Sequence, residues 1–209
     1  MLIHDHDAAD EATWRRIVAD HDFGQLITAT PGADGLPAIV PTHFRFDGVD
    51  SVELHLHRRN PALEVLRADA RAVLSVIAAY VYVPTSWNAG DRPPEHGVPT
   101  SYYAAVQLSG AVSFVEEPVA FAEQLARQVD HFQPEGGHAP VTADAPYGPM
   151  LGAIVGLRLR VESVRAKAKF GGNKSVAHRL EIADRLAARH GPHDAEARRF
   201  LLDGVNRDR

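Results

Sequence analysis

Three stretches of the chain carry residue types that could do chemistry. The first is His55-Leu56-His57-Arg58-Arg59-Asn60-Pro61. Two imidazoles alternate on one strand face, two guanidiniums follow, and Asn60-Pro61 spells a helix start with Asn as the cap and Pro at the first helical position. Free N–H groups at a helix start favour an anion, and an Arg fork matches phosphate oxygens. The stretch therefore reads as a phosphate seat; a solvated basic turn before a helix has the same spelling. His43, His55 and His57 could also chelate a metal, but Arg58 and Arg59 oppose a cation there, so no metal is expected. The second stretch is Arg158–Lys174. Arg158 and Arg160 share a strand face, as do Arg165, Lys167 and Lys169, giving a basic ridge that ends at Gly171-Gly172-Asn173-Lys174. Such a ridge suits phosphate or nucleic acid, and equally the wet face of an edge strand. The third is Tyr80–Gly110, where two β-type runs flank a polar loop with Trp87, Asn88, His96 and Thr100. Aromatic bodies with polar tips suit a flat ligand, and an ordinary long hairpin with core aromatics accounts for the same pattern.

Several chemistries are absent from the sequence. There is no cysteine, so thiolate nucleophiles, disulfides and Cys-ligated metals are excluded. There is no G-x-S-x-G, no P-loop and no G-x-G-x-x-G before a helix, and no catalytic residue can be named. The His4-Asp5-His6-Asp7 run reads as a mobile terminus. A net charge of −5 over 209 residues is the wrong balance for phosphate neutralisation, and no helix-turn-helix is legible. DNA contact would fall on the basic ridge or on Arg179, Arg185 and Arg189. No apolar run reaches membrane-spanning length, and the acidic N-terminus has no signal-peptide h-region. A cytoplasmic protein is expected.

The elements that must position these residues follow from periodicity. Helices are expected over Asp7–Val18, from Asn60 to about Arg67, over Pro118–Phe132, Ser175–Arg189 and Asp194–Asp203. Strands are expected over Phe23–Thr30, Leu36–Phe46, Ser51–His57, Ala72–Ile77, Tyr80–Val83, Ser101–Val115 and Ala153–Phe170. Pro37 and Pro41 mark an edge strand or a bulge. Gln133–Pro149 has no periodicity and reads as a loop. Strands do not alternate with helices, so the pattern predicts a mainly β protein, an antiparallel barrel with peripheral helices. A single domain over 1–209 is expected, with a short N-terminal helix and a C-terminal helical segment at about 175–209.

The motifs, in order, resemble the PaiB family of FMN-binding split-barrel proteins, usually described as negative transcriptional regulators. Thr42-His43 with Phe46 is similar to the family's early strand motif, and His55-Leu56 with Arg58, Asn60 and Pro61 to its strand-to-helix motif. Tyr82-Val83 through Ser86-Trp87, and Val98-Pro99-Thr100 with Tyr103, Ala105-Val106 and Gly110, resemble its central runs. Ile154-Val155-Gly156 and Lys169 with Asn173-Lys174-Ser175 resemble its late strand and turn. The chain departs at Ser101-Tyr102 (Trp-Asn in the family), Gln107 (His), Gly171-Gly172 (Ser-Gln) and Arg45 (Pro).

The resemblance implies a homodimeric split barrel with FMN at the subunit interface. It implies that Arg58 and the Asn60 helix start, with His55 of the same strand-to-helix motif beside them in the cofactor site, take the flavin phosphate, and that Thr42 and His43 line ring or phosphate. Trp87 and Tyr103 would cover apolar ring surface. Gln107, Lys169 and Asn173 would donate to ring oxygens, where negative charge grows on reduction. Three functions remain open: a ligand-binding regulator, an FMN-dependent oxidoreductase or flavin reductase acting on a small molecule, and a cofactor-free interaction protein.

Overall fold

A one-residue break at Phe44 decides the architecture. The computed structural model describes residues 1–144 and 146–207; Ala145 in the expected loop, and Asp208 and Arg209 at the end of the expected helical segment, lie outside the described residues. In chain order the elements are α1 (Glu11–Asp20), β1 (Phe23–Pro31), β2 (Pro37–His43), β3 (Arg45–Phe46), β4 (Ser51–His57), α2 (Ala62–Ala68), β5 (Arg71–Val83), β6 (Thr100–Val115), α3 (Pro118–Phe132), α4 (Gly148–Leu151), β7 (Ile154–Lys169), α5 (Val176–Arg189) and α6 (Asp194–Arg207). Single 3-10 turns occupy Asp5–Asp7, Thr85–Trp87 and Pro94–His96. The strands form one seven-stranded sheet in the order β2-β1-β5-β6-β7-β4-β3, and the pairs β1·β2, β1·β5, β3·β4 and β4·β7 are antiparallel.

The chain divides into two units. A barrel unit comprises Val18–Val76 and Gln107–Val164; a helical unit comprises Met1–Ile17, Ile77–Val106 and Arg165–Arg209. Every strand lies wholly or partly in the barrel unit. The outermost strands of the sheet order, β2 and β3, are separated in sequence only by Phe44. A flat sheet of seven strands would hold its edges roughly 29 Å apart at about 4.8 Å per step. Two peptide steps reach only about 7 Å. The sheet must therefore curl until its edges meet, which makes a barrel. The expected strand Leu36–Phe46 is thus corrected to two short edge strands, with the Phe44 side chain 0% exposed at the corner. The edge position read from Pro37 and Pro41 holds.

Within the barrel unit, β4 alternates as expected: Val52, Leu54 and Leu56 are buried on one face. α3 begins where Glu117 accepts hydrogen bonds from Val119 N and Ala120 N, at 3.1 and 2.7 Å. These bonds hold the Glu117 carboxyl below its ordinary value. Phe121 and Ala122 of α3 form a small core with Leu151, packed by Val115, Leu125 and Ile154.

The helical unit corrects three expectations. Tyr80–Val83 is not a separate run but the end of the 13-residue β5, which is interrupted by Ala79 in a left-handed conformation (φ 54°) that shifts the in–out alternation. The His4–Asp7 segment is not a loose terminus. Asp7 is buried and pairs with Lys167 at 3.5 Å, and Ala8 bridges Lys167 antiparallel. In α5 the apolar spacing of the sequence points to a stripe of Val176, Leu180, Ala183 and Leu186, but the buried residues are Arg179, Ile182, Ala183 and Leu186. Ser175 caps this helix, accepting from His178 N, and α5 ends at His190 in a left-handed conformation.

Candidate functional site

The loop after β5 and the turn after β7 build a cavity of about 430 Å³ within the helical unit. Lys169, the last residue of β7, donates from Nζ to Thr100 Oγ1 at 2.8 Å, across to the first residue of β6. Lys174, Arg92 and Asn173 also line the cavity, and Asp7 is its carboxylate. Burial and then the neighbouring Arg92 charge push the Lys174 ammonium below its ordinary value. An anionic or electron-rich group placed beside them would favour the charged ammonium and oppose the Arg92 repulsion.

Buried polar atoms here lack partners. Asn88 is 6% exposed; its Nδ2 donates to Val98 O, but its Oδ1 has no hydrogen-bond partner. Tyr102 is 1% exposed and its hydroxyl is likewise unpartnered. Burial, with Asp7 adding to it, pushes the Tyr102 phenol well above its ordinary value, so it stays a donor at neutral pH. A buried polar atom without a partner costs about 1–3 kcal/mol, which a bound polar group would offset. Gly171 makes room for that phenol. Its φ is +74°, and a Cβ there would stand 2.5 Å from the Tyr102 hydroxyl oxygen.

Trp87 and Tyr103 have other neighbours within the same unit. The Arg189 guanidinium sits 4.8 Å over the Trp87 ring, donates to Tyr82 O at 2.8 Å, and is held by Asp194. His178 Nε2 meets Trp87 O at 2.9 Å. Lys167 Nζ lies 5.7 Å over the Tyr103 ring and donates to Leu2 O.

In the barrel unit the expected residues separate into a turn and a pocket. Arg58 donates through Nε to Gly152 O at 3.0 Å and pairs with Glu116 at 3.3 Å. Asn60 Oδ1 accepts from Ala62 N at 3.0 Å, the cap expected of it. His57 is exposed and its Nδ1 accepts from Arg59 N. His43 and His55 come together, ring centroids 5.0 Å apart in a T-shaped contact. Thr42 is buried and donates to His43 O; Gln107 is half-buried on β6. No group of three or more metal-ligating side chains converges among the described residues.

The basic ridge does not form as a free face. In the barrel unit Arg158 belongs to a cluster in which Arg45, Arg127 and Arg158 all contact Glu53, which is 4% exposed. Burial pushes the Glu53 carboxyl up, but the Arg127 hydrogen bond and the three positive charges outweigh it, leaving the carboxyl below its ordinary value. In the helical unit Lys167 and Lys169 are engaged as described above.

The sequence reading missed Asn88 Oδ1 as an orphan, the Glu53 cluster and Gln128. Gln128 is 2% exposed on the apolar stripe of α3, and its Oε1 meets His55 Nδ1 at 2.9 Å. Two glutamines, 124 and 128, interleave with Phe121, Leu125 and Val129 at helical spacing. That polar insertion in an apolar stripe was the available signal.

Comparison with known proteins places these features in a context. A family model described as "Putative FMN-binding domain" matches residues 1–163. The chain is 22% identical over 202 residues to the protease synthase and sporulation protein PAI 2 of Bacillus subtilis (strain 168), covering 94% of this chain and 93% of that protein. Among solved structures it resembles an FAD and heme binding protein from Mycobacterium smegmatis (TM-score 0.58, 17% identity, 90% of this chain and 82% of that one). It also resembles the flavocytochrome Anf3 from Azotobacter vinelandii (TM-score 0.57, 17% identity, 80% and 75%). The likeness supports the split-barrel fold. No helix among the described residues is long and apolar enough to cross a membrane.

Proposed function

The chain belongs to the family of FMN-binding domains, and from that premise we propose that the helical-unit cavity holds the dioxopyrimidine edge of FMN. That edge presents two carbonyl acceptors on either side of an N–H donor. Asn88 Oδ1 accepts from the N–H, while Lys169 and Asn173 donate to the carbonyls. Lys174 and Arg92 offset the negative charge that collects on this edge when the ring is reduced. Bound FMN supplies one- and two-electron transfer; the chain's own groups bind, orient and tune it. The observation that carries this reading is the pair of partnerless polar atoms, Asn88 Oδ1 and Tyr102 Oη, buried in a cavity lined by Lys169 and Lys174.

Within the barrel unit, the Arg58–Asn60 turn by itself fits a phosphate, the role the resemblance implies for it. The Arg58–Glu116 pair is solvent-exposed, with side chains 40% and 47% accessible. An exposed ion pair is worth about 0–1 kcal/mol, whereas each charge-assisted bond to a phosphate is worth about 1.5–3 kcal/mol. A phosphate dianion therefore displaces Glu116.

The assembled form in this reading is a cytoplasmic homodimer in which the whole chain acts as one flavin-binding domain. The role follows the resemblance to PaiB-type regulators. The test is direct. The purified protein, or the protein reconstituted with FMN, should show the visible flavin spectrum and quench FMN fluorescence with saturation. A colourless protein that leaves added FMN fluorescence unchanged overturns the reading and favours a cofactor-free interaction protein.

A further inference from the structure

Another cavity of the helical unit lies on the far face of the β7 end from the flavin-edge cavity. Lys169 lines the flavin edge, whereas its neighbours Ala168 and Phe170 line this one, about 280 Å³ in volume, together with α5, α6 and the N-terminal segment. Most small-molecule sites measure about 300–1,000 Å³, so the occupant is smaller than a flavin nucleotide.

Two guanidiniums converge in this cavity. Arg179, on the buried stripe of α5, is 4% exposed and still lines it. Arg207 reaches it from the last turn of α6. Between them stands Gly204. A Cβ there would lie 3.3 Å from Arg179 Nη1 and 3.9 Å from Arg207 Nη2, so both heads flank the one place where α6 carries no side chain. Glycine in a helix is unfavourable relative to alanine; here it leaves open the space that both arginines reach. The floor is rigid. Phe170 and Phe200 are both buried and stack with ring centroids 4.8 Å apart and planes 4° from parallel, which ties α6 to the end of β7. A cavity already shaped loses less entropy when a ligand enters. Asp5 and His6 are exposed at the rim and offer polar atoms. Among the described residues Asp5 is the one lining carboxylate against two lining arginines, so the wall keeps a positive balance.

A carboxylate has two oxygens, and one guanidinium fork satisfies both. Two forks around one point suit the three terminal oxygens of a phosphate monoester, whose two negative charges match two arginines. The polar rim suits hydroxyl groups on the body that carries the phosphate. We infer that this cavity binds a small phosphate monoester with a hydroxylated body, a phosphorylated polyol, at a site separate from the cofactor's. The phosphate sits over Gly204 between Arg179 and Arg207, and the hydroxyls face Asp5 and His6.

The test is calorimetric titration of the full chain saturated with FMN, with glycerol 3-phosphate as probe, glycerol as its uncharged body and lactate as a hydroxylated carboxylate. Saturable binding is expected for glycerol 3-phosphate and none for glycerol, and lactate should bind at least about tenfold more weakly. Arg207→Gln, at an exposed position, should weaken glycerol 3-phosphate about tenfold through one lost charge-assisted bond. Gly204→Ala keeps the helix, since alanine has the higher helix propensity, and should weaken the probe by at least as much, because the methyl takes the place of the phosphate. Thermal unfolding reports that both variants fold, and FMN affinity should stay the same in both. No saturable binding, glycerol or lactate binding as well as the ester, or an unchanged ester affinity in the two folded variants would each overturn the inference. So would displacement of FMN by glycerol 3-phosphate, or an equal loss of the ester in Arg58→Ala, since it would then sit on the Arg58–Asn60 turn. A chain that takes up no FMN defeats the cofactor reading alone, and the same titration of Arg207→Gln against Arg58→Ala still decides this one.

Discussion

The helical unit and the barrel unit each enclose a cavity of similar volume, about 430 and 410 Å³, with opposite chemistry. The first gathers Lys169, Lys174 and Arg92 around orphaned polar atoms. The second sets two imidazoles and a buried amide among Leu125, Val129 and Phe132. The difference shows that volume alone does not select a ligand. Charge does: cationic lining with partnerless polar atoms fits an electron-rich edge, and a wall without lysine or arginine offers it less.

The sharpest way to break this contrast is Gly171→Ala. The new Cβ meets the Tyr102 hydroxyl at 2.5 Å and sits at φ +74°. A left-handed non-glycine residue costs about 1–2 kcal/mol, and the clash adds to it, so thermal and denaturant unfolding should show a loss of about 3 kcal/mol. FMN binding should fail. Tyr102→Phe in the same chain should restore roughly half of the stability by removing the clashing oxygen but not the backbone strain.

Lys169→Met comes next. Loss of a charge-assisted bond predicts an FMN affinity lower by about thirtyfold, by titration, and an unchanged affinity would remove Lys169 from the flavin edge. Glu53→Gln should then lower stability by about 2 kcal/mol, because three guanidiniums lose their buried counter-charge, and should leave FMN affinity as it was. The pH profile carries the sign of the effect. The Glu53 carboxyl is held below its ordinary value of 4.5 in the folded chain. Its contribution is therefore present above about pH 4.5 and disappears as pH falls through the folded value. Urea unfolding midpoints measured from pH 7 to pH 3 in wild type and variant should converge at the acid end.

Arg58→Ala should have the smallest effect, about tenfold on FMN and none on riboflavin, which lacks the phosphate. Equal loss for both flavins removes the phosphate assignment.

Much of the helical-unit cavity was legible in the sequence, because its chemistry sits where the chain must turn. Thr100, Lys169 and Asn173 border runs of Gly and Pro, and polar residues at such places stand out. The partnerless state of Asn88 did not, since it depends on where a loop carbonyl falls. The barrel unit was harder. Its strands alternated as expected at Val52, Leu54 and Leu56, but the break at Phe44 is a matter of sheet closure, which no local period encodes. Glu53 lay on the face opposite Val52, Leu54 and Leu56, and only long-range approach by Arg127 from α3 and Arg158 from β7 buries it. Gln128 looked like an imperfection in an apolar stripe. The resemblance implies Trp87 and Tyr103 as covers of apolar ring surface; in the fold, Arg189 and Lys167 lie over their rings.

The fit between Tyr102 and Gly171 also bears on how this sequence can change. A side chain at position 171 calls for a residue smaller than tyrosine at 102, where this chain has a phenol facing bare backbone. Moving from one arrangement to the other by a single replacement at 171 crosses a steric barrier, so the tyrosine must shrink first or both must change together. Anyone transplanting the late turn from a relative into this scaffold should carry position 102 along with it.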